Sequence, residues 1–201
     1  MSITKNNTRM LEGNLTTSQL PTIPNSKLEN SSVTINGSAV ALGGSTTIAT
    51  GGTNSPVFSA TTTTGQSISS DTMTLVSYPT ENFDPDGVFT NTASNYKFTV
   101  PSGKAGTYSL TAKIFVNANG ASQLQNYFVE IRKNGTAVAT TGHNFNSNDN
   151  YWAVPEINTL QVLAVGDDIQ VFAQVSDGSG NPTIGYGGNG TYSEFSGFKL
   201  T

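Results

Sequence analysis

The sequence predicts an all-β protein in two unequal parts, an extended N-terminal arm with one β-hairpin followed by an antiparallel sandwich. Three observations lead there. Only 11% of the 201 residues are charged, while 21 are glycine and threonine recurs throughout, a composition that favours short strands and turns over helices. All 10 Phe, all 7 Tyr and the one Trp fall within residues 56–201, so material for a core exists only in the second part. Across that part, alternating apolar runs are separated by Gly, Asn, Asp and Pro signals, the pattern of many short strands.

The arm, residues 1–55, is polar but not without order. The segments TRML (8–11), TSQL (17–20) and NSKL (25–28) place Leu11, Leu20 and Leu28 at a near-regular spacing. Such a repeat has no apolar surface of its own chain to bury against, so the three leucines are candidates for attachment to a partner. Pro21, Pro24 and the glycine-rich stretch 43–52 argue against a continuous helix. VTINGSAVAL (33–42) places two apolar runs around Asn36-Gly37, a strong signal for a tight hairpin. One hairpin is marginal alone in water. Val33, Ile35, Val40 and Leu42 are therefore expected to be buried between subunits of an oligomer.

The head, residues 56–201, reads as strands throughout. TYSLTAKIFV (107–116) alternates with Tyr108, Leu110, Ala112, Ile114 and Val116 on one face. DIQVFAQV (168–175) does the same with Ile169, Val171, Ala173 and Val175. YFVEIRKNGTAVATT (127–141) is a second hairpin, turning at Asn134-Gly135. Further strands are expected at 57–60, 73–77, 95–100, 157–165 and 192–199. Short strands at this spacing form a sandwich, jelly roll or barrel. Phe115, Phe128 and Phe172 fall opposite the apolar phase of their strands, which assigns them to a face covered by a neighbouring subunit.

Chemistry is sparse. The formal charge of −4 offers no basic footprint for nucleic acid, and no apolar run reaches the length of a membrane span. The N-terminal residues MSITKNNTRM do not read as a secretory signal. With no cysteine there are no disulfides or thiolate metal sites, and His143 is the one histidine. A Ser-His-Asp site has arithmetic room but no G-x-S-x-G elbow. FDPDGVF (83–89) resembles the start of a calcium loop through Asp84 and Asp86, with Asn91 further on, but lacks the closing Glu. A tight turn is the expectation there, and again at Asp167-Asp168 in VGDDIQV. No spacing among the 13 acids selects a catalytic pair. The expectation is a protein that is not an enzyme and uses no cofactor or metal. Recognition potential is assigned to the loops 144–152 and 184–195, through Tyr151, Trp152, Tyr186 and Tyr192, and a surface role to His143 in the polar loop stretch 141–152; aromatics among Gly, Asn and Ser suit adaptable contacts, stacking on sugars included.

Several segments of the head, in order, resemble the globular domain of the complement component 1q and tumour-necrosis-factor superfamily. They are Phe58-Ser59-Ala60, Phe83, Asp86-Gly87, Phe89, YKFTVPSGKAGTYSL (96–110), VEIRKNG (129–135), LAVGDDIQV (163–171) and FSGFKL (195–200). The resemblance implies a jelly roll and a tight homotrimer. Leu110 stands where that family usually has Phe, and the glycine-rich 184–190 loop is a departure. Separately, NSKLENSSVTINGSAVALGGSTTI (25–48) is similar to segments of tailed-bacteriophage fibre and other virion proteins. That likeness implies a virion structural protein assembled in the host cytoplasm, with the arm attaching to other virion proteins or trimerising. The resulting expectation is a trimeric short tail fibre or fibre-like appendage whose head contacts a host surface glycan or protein. A trimeric capsid decoration (cement) protein anchored by the arm is the alternative, and a carbohydrate-active depolymerase a second.

Overall fold

A computed structural model describes residues 22–35, 37–47, 54–118, 124–145, 150–178, 181–188 and 193–201. The chain divides into two compact units, Met1–Gly51 and Gly52–Thr201.

In the first unit a 3-10 turn at Asn25–Lys27 precedes β1 (Ser32–Ile35) and β2 (Ser38–Ala41), which pair antiparallel. Gly37 takes φ +79° in the turn between them, a value open to glycine without a Cβ clash. The Leu42 amide donates to the Ser31 carbonyl at 2.9 Å, extending the ladder by a rung. The Asn25 side-chain amide donates to the Leu42 carbonyl, tying the 3-10 turn to the end of the hairpin.

The second unit opens with β3 (Val57–Thr62), β4 (Gln66–Ser67), β5 (Thr74–Leu75), β6 (Thr80–Phe83), β7 (Phe89–Thr92) and β8 (Asn95–Thr99). Next come β9 (Gly106–Lys113), β10 (Val116–Asn117), β11 (Leu124–Lys133) and β12 (Thr136–Asn144). It closes with β13 (Trp152–Ala153), β14 (Glu156–Leu163), β15 (Asp168–Asp177), β16 (Thr183–Ile184) and β17 (Ser193–Lys199). One sheet runs β14-β9-β17-β3-β6; a second runs β12-β11-β15-β8-β7, with β5 also on β15. A small third sheet, β13-β10-β16-β4, is built from two-residue strands. All pairings are antiparallel.

The core lies between the two large sheets, where their inward phases meet. Phe58 from β3 stacks on Phe98 and Phe89 at 4.8 and 5.4 Å and meets Phe195 edge-on at 4.9 Å. Tyr108, Leu110, Ala112, Ile169, Val171, Ala173 and Val175 are all buried, as their alternation requires. Asn134 and Gly135 have φ of 51° and 83°, the doubly positive backbone of a two-residue hairpin turn.

Two expectations are corrected. The strand expected over 107–116 is not continuous: β9 ends at Lys113, and β10 begins at Val116 in a different sheet. The Ile114 amide bonds to Pro155 and the Phe115 amide to the Ser193 hydroxyl, so the chain changes sheets there and both side chains are buried. His143 is not in a loop. β12 continues to Asn144, and His143 pairs with Tyr127.

Candidate functional site

Register settles which side chains share a face, because directly opposed residues and alternate residues point the same way. In the hairpin Val33 faces Val40 and Ile35 faces Ser38, with Leu42 one rung beyond. Val33, Ile35, Val40 and Leu42 therefore form one apolar face, backed by Ser32, Thr34, Ala39 and Ala41. Val33 is 48% and Leu42 36% exposed, while Ile35 and Val40 are half-buried, so the described residues cover this face only in part. Leu28 is also exposed. Leu11 and Leu20 lie outside the described residues.

The outward face of the β14-β9-β17-β3 sheet is graded. One row across it reads Leu160, Ser109, Phe198, Val57, and Val162 lies beside it opposite Thr107. The next row reads Asn158, Thr111, Ser196, Ser59, all small or neutral. A third reads Glu156, Lys113, Glu194, Thr61. Leu160 and Val162 are 64% and 74% exposed, an unusual placement for neighbours on one strand face. Sequence reading missed them, although TLQVLAV carries apolar residues in both phases, the mark of a strand with two faces to cover.

Phe128 and Phe172 share the outward face of the β11-β15 pair, and Phe115 lies elsewhere. Phe115 lies beside the small sheet and is 7% exposed, covered by Trp152 and by Gly187, where a Cβ would come within 2.4 Å of the ring. Phe128 belongs to the β11 ladder and lies over Gly142 of β12, where a Cβ would also fall 2.4 Å from the ring. Phe172 on β15 is capped by the Arg132 guanidinium, 4.3 Å from its centroid, a cation–π contact. Phe115 is thus covered from within the chain, whereas Phe128 and Phe172 stay half-buried on the outward side of their strands.

On the small sheet a single row runs across all four strands: Trp152, Asn117, Thr183, Ser67. The opposite face carries the buried Val116 and Ile184, so this row faces outward. Trp152 stacks on Phe115 at 6.2 Å and 22° between planes, yet is 61% exposed. The Asn117 amide, oriented so that Nδ2 donates, bonds to the Tyr151 carbonyl at 2.9 Å and the Ala118 carbonyl at 3.3 Å. That leaves its Oδ1 as an acceptor. Tyr151 is exposed and Tyr186 half-buried; Tyr192 lies outside the described residues. His143 belongs to a separate cluster, edge-on to Phe145 at 4.6 Å and 6.3 Å from Tyr127. The structure thus separates His143 from Trp152 by strand and by ring contacts.

Asp84, Asp86, Asp167 and Asp168 sit at turns. Asp84 accepts from the Val88 and Phe89 amides at 3.0 and 2.9 Å, and Asp86 accepts from the Ser55 hydroxyl. Asp167 pairs with Lys133 at 2.8 Å and accepts from Asn134; the Lys133 hydrogen bond, aided by Ala164 and Asn134, holds its carboxyl below the usual range against the opposing effect of burial. At Asp168 burial pushes upward, but the Lys97 and Thr99 bonds, 2.6 Å each, prevail and lower it. Two shallow depressions of about 340 and 350 Å³ each hold at most one carboxylate: Glu194 in the first, beside Lys113 and Thr61, and none in the second, beside Gln66 and Tyr96. Glycoside hydrolysis uses a converging pair. Among the described residues no three acids or histidines gather as a metal site, and no helix is long and apolar enough to cross a membrane.

With this geometry in place, comparison with solved structures identifies the architecture. The chain is similar to an Eiger tumour-necrosis factor from S. frugiperda, with a TM-score of 0.51 and 12% identity over 72% of this chain and 90% of that one. The head has the jelly-roll fold of tumour-necrosis-factor domains. The globular domain of a zebrafish complement 1qA protein is also matched, with a TM-score of 0.49 and 14% identity over 73% of this chain and 98% of that one. No protein-family model matches the chain, and no curated protein does. The likeness is one of fold.

Proposed function

We propose that the chain is a homotrimeric structural protein of a tailed-bacteriophage virion, a short tail fibre or fibre-like appendage whose head contacts the host surface. The observation that carries this reading is the hairpin of the first unit. Its large apolar residues all lie on one face and join no core among the described residues, and a two-stranded hairpin is marginal in water without such cover. Copies of the same face around a threefold axis supply it. The wording of residues 25–48, similar to phage virion segments, supplies the phage context.

In the head, the row Leu160, Phe198 and Val57, with Val162, joins the half-buried Phe128 and Phe172 as interface surface, in place of the buried Phe115. Burying apolar surface of this kind is the main drive for association. Leu11, Leu20 and Leu28 are left to engage other virion proteins.

Immunogold labelling of the assembled particle tests the placement. Gold at the tail is expected. Gold over the capsid would replace the fibre role with that of a decoration protein, and unlabelled particles would overturn the virion reading altogether.

A further inference from the structure

We propose that the outward face of the small sheet is a saccharide-binding platform, on which a neutral pyranose stacks on Trp152 while Asn117, Thr183 and Ser67 bond to its hydroxyls. The proposal rests on this face alone and holds whether or not the chain belongs to a virion. Its basis is the row of four side chains that four separate segments of sequence bring into register. At the usual spacing between strands the row spans about 14 Å, the reach of a short oligosaccharide.

Each part of the row suits a sugar ring. Trp152 offers an exposed indole, held in orientation by Phe115 beneath it, so little freedom is lost when a ligand stacks on it. Phe115 in turn is held by Gly187, whose missing side chain lets the backbone approach the ring. Asn117 is held in place by its amide nitrogen, which donates to the Tyr151 and Ala118 carbonyls, and its oxygen is the acceptor end it presents. The hydroxyls of Thr183 and Ser67 have no partner among the described residues, and each both donates and accepts. A few placed polar groups beside an aromatic surface are the usual makeup of a small-ligand site.

The same features argue against other occupants. A nucleic acid base would also stack on Trp152, but the row contains no Lys or Arg to meet phosphate, and the chain carries a charge of −4. A membrane surface calls for a basic apolar face. An apolar protein partner calls for a contiguous apolar patch, whereas here one ring is followed by three neutral polar side chains.

Trp152 is the one tryptophan in the chain, so its fluorescence reports this face directly. The full chain is titrated with maltohexaose, cellohexaose and chitohexaose, and in parallel with heparin and phosphatidylcholine vesicles. A saturable emission change with at least one neutral oligosaccharide at or below millimolar concentration is expected. By calorimetry, Trp152→Ala should weaken that binding about tenfold or more, as loss of a stacked ring does. Trp152→Phe should retain most of it, and Thr183→Val, which keeps the shape of the side chain, should weaken it about threefold or more. Circular dichroism checks that each variant is folded. The proposal is overturned if none of the three oligosaccharides saturates the signal, if only heparin or the vesicles do, or if folded Trp152→Ala and Thr183→Val both bind like the parent.

Discussion

Two tyrosines of the head predict opposite responses to the same chemical change. Tyr78 is 1% exposed, and its hydroxyl has no hydrogen-bond partner among the described residues. Burial, and secondarily the Glu194 carboxylate, push its ionisation well above the ordinary tyrosine value, so the group is a neutral and unpaired donor. An unpaired buried polar group costs about 1–3 kcal/mol. Tyr78→Phe keeps the ring and its contact with Phe195 at 5.9 Å, and so should stabilise the head by about 1 kcal/mol. For a domain of this size that is a rise in melting temperature of roughly 2–4 °C.

Tyr108 is equally buried, but its hydroxyl donates to the Lys104 carbonyl at 2.6 Å, and its ionisation is pushed up to about 12, by burial and then by Asp86. Tyr108→Phe should cost about 1 kcal/mol, since it removes a made bond and leaves a carbonyl unpaired. Urea unfolding of both variants, with midpoints compared at unchanged slope, reads the two signs. If Tyr78→Phe destabilises as much as Tyr108→Phe does, the Tyr78 hydroxyl is paired and the reasoning fails.

Three further predictions concern the turns, the arm and the apolar face of the head. Asp167 and Asp168 both ionise below their unfolded range, so their stabilisation is present above about pH 4 and is lost as pH falls through their folded values. Asp167→Asn should flatten the acid limb of a urea-midpoint profile, and an unchanged limb would remove the Lys133 pair as its cause. A synthetic peptide of residues 25–50 should show no stable hairpin by nuclear magnetic resonance, because the face formed by Val33, Ile35, Val40 and Leu42 has nothing to pack against. A folded isolated peptide would count against burial between subunits. Leu160→Asp should shift the full chain towards monomer while the spectrum of the folded head is kept, since the side chain is exposed in the single chain.

The large sheets were legible because their strands are long enough to alternate. β9 and β15 each put small or apolar residues at every second position, and Asn134-Gly135 marked the turn between β11 and β12. The small sheet was not legible. Two residues are too few to establish a period, and β4, β10, β13 and β16 are held by neighbours far away in sequence. For the same reason Trp152 was recognised as a candidate for surface contact, but Asn117, Thr183 and Ser67 beside it were not. Phe115 was misassigned because alternation was carried through residues 114 and 115, where the chain leaves one sheet for another. His143 was placed in a loop because TGHN is polar; an edge strand with one face in solvent tolerates such a sequence. Gly142, which weakens strand propensity, is explained by the ring of Phe128 lying over it.

The central claim is that the chain works as a trimer built on the apolar hairpin face and the Leu160 row. Sedimentation velocity of the full chain at micromolar concentration tests this most directly. The account predicts a single species of three times the 21.0 kDa chain mass, converted towards monomer by Leu160→Asp. A monomeric parent chain, or a trimer that Leu160→Asp leaves intact, would contradict it.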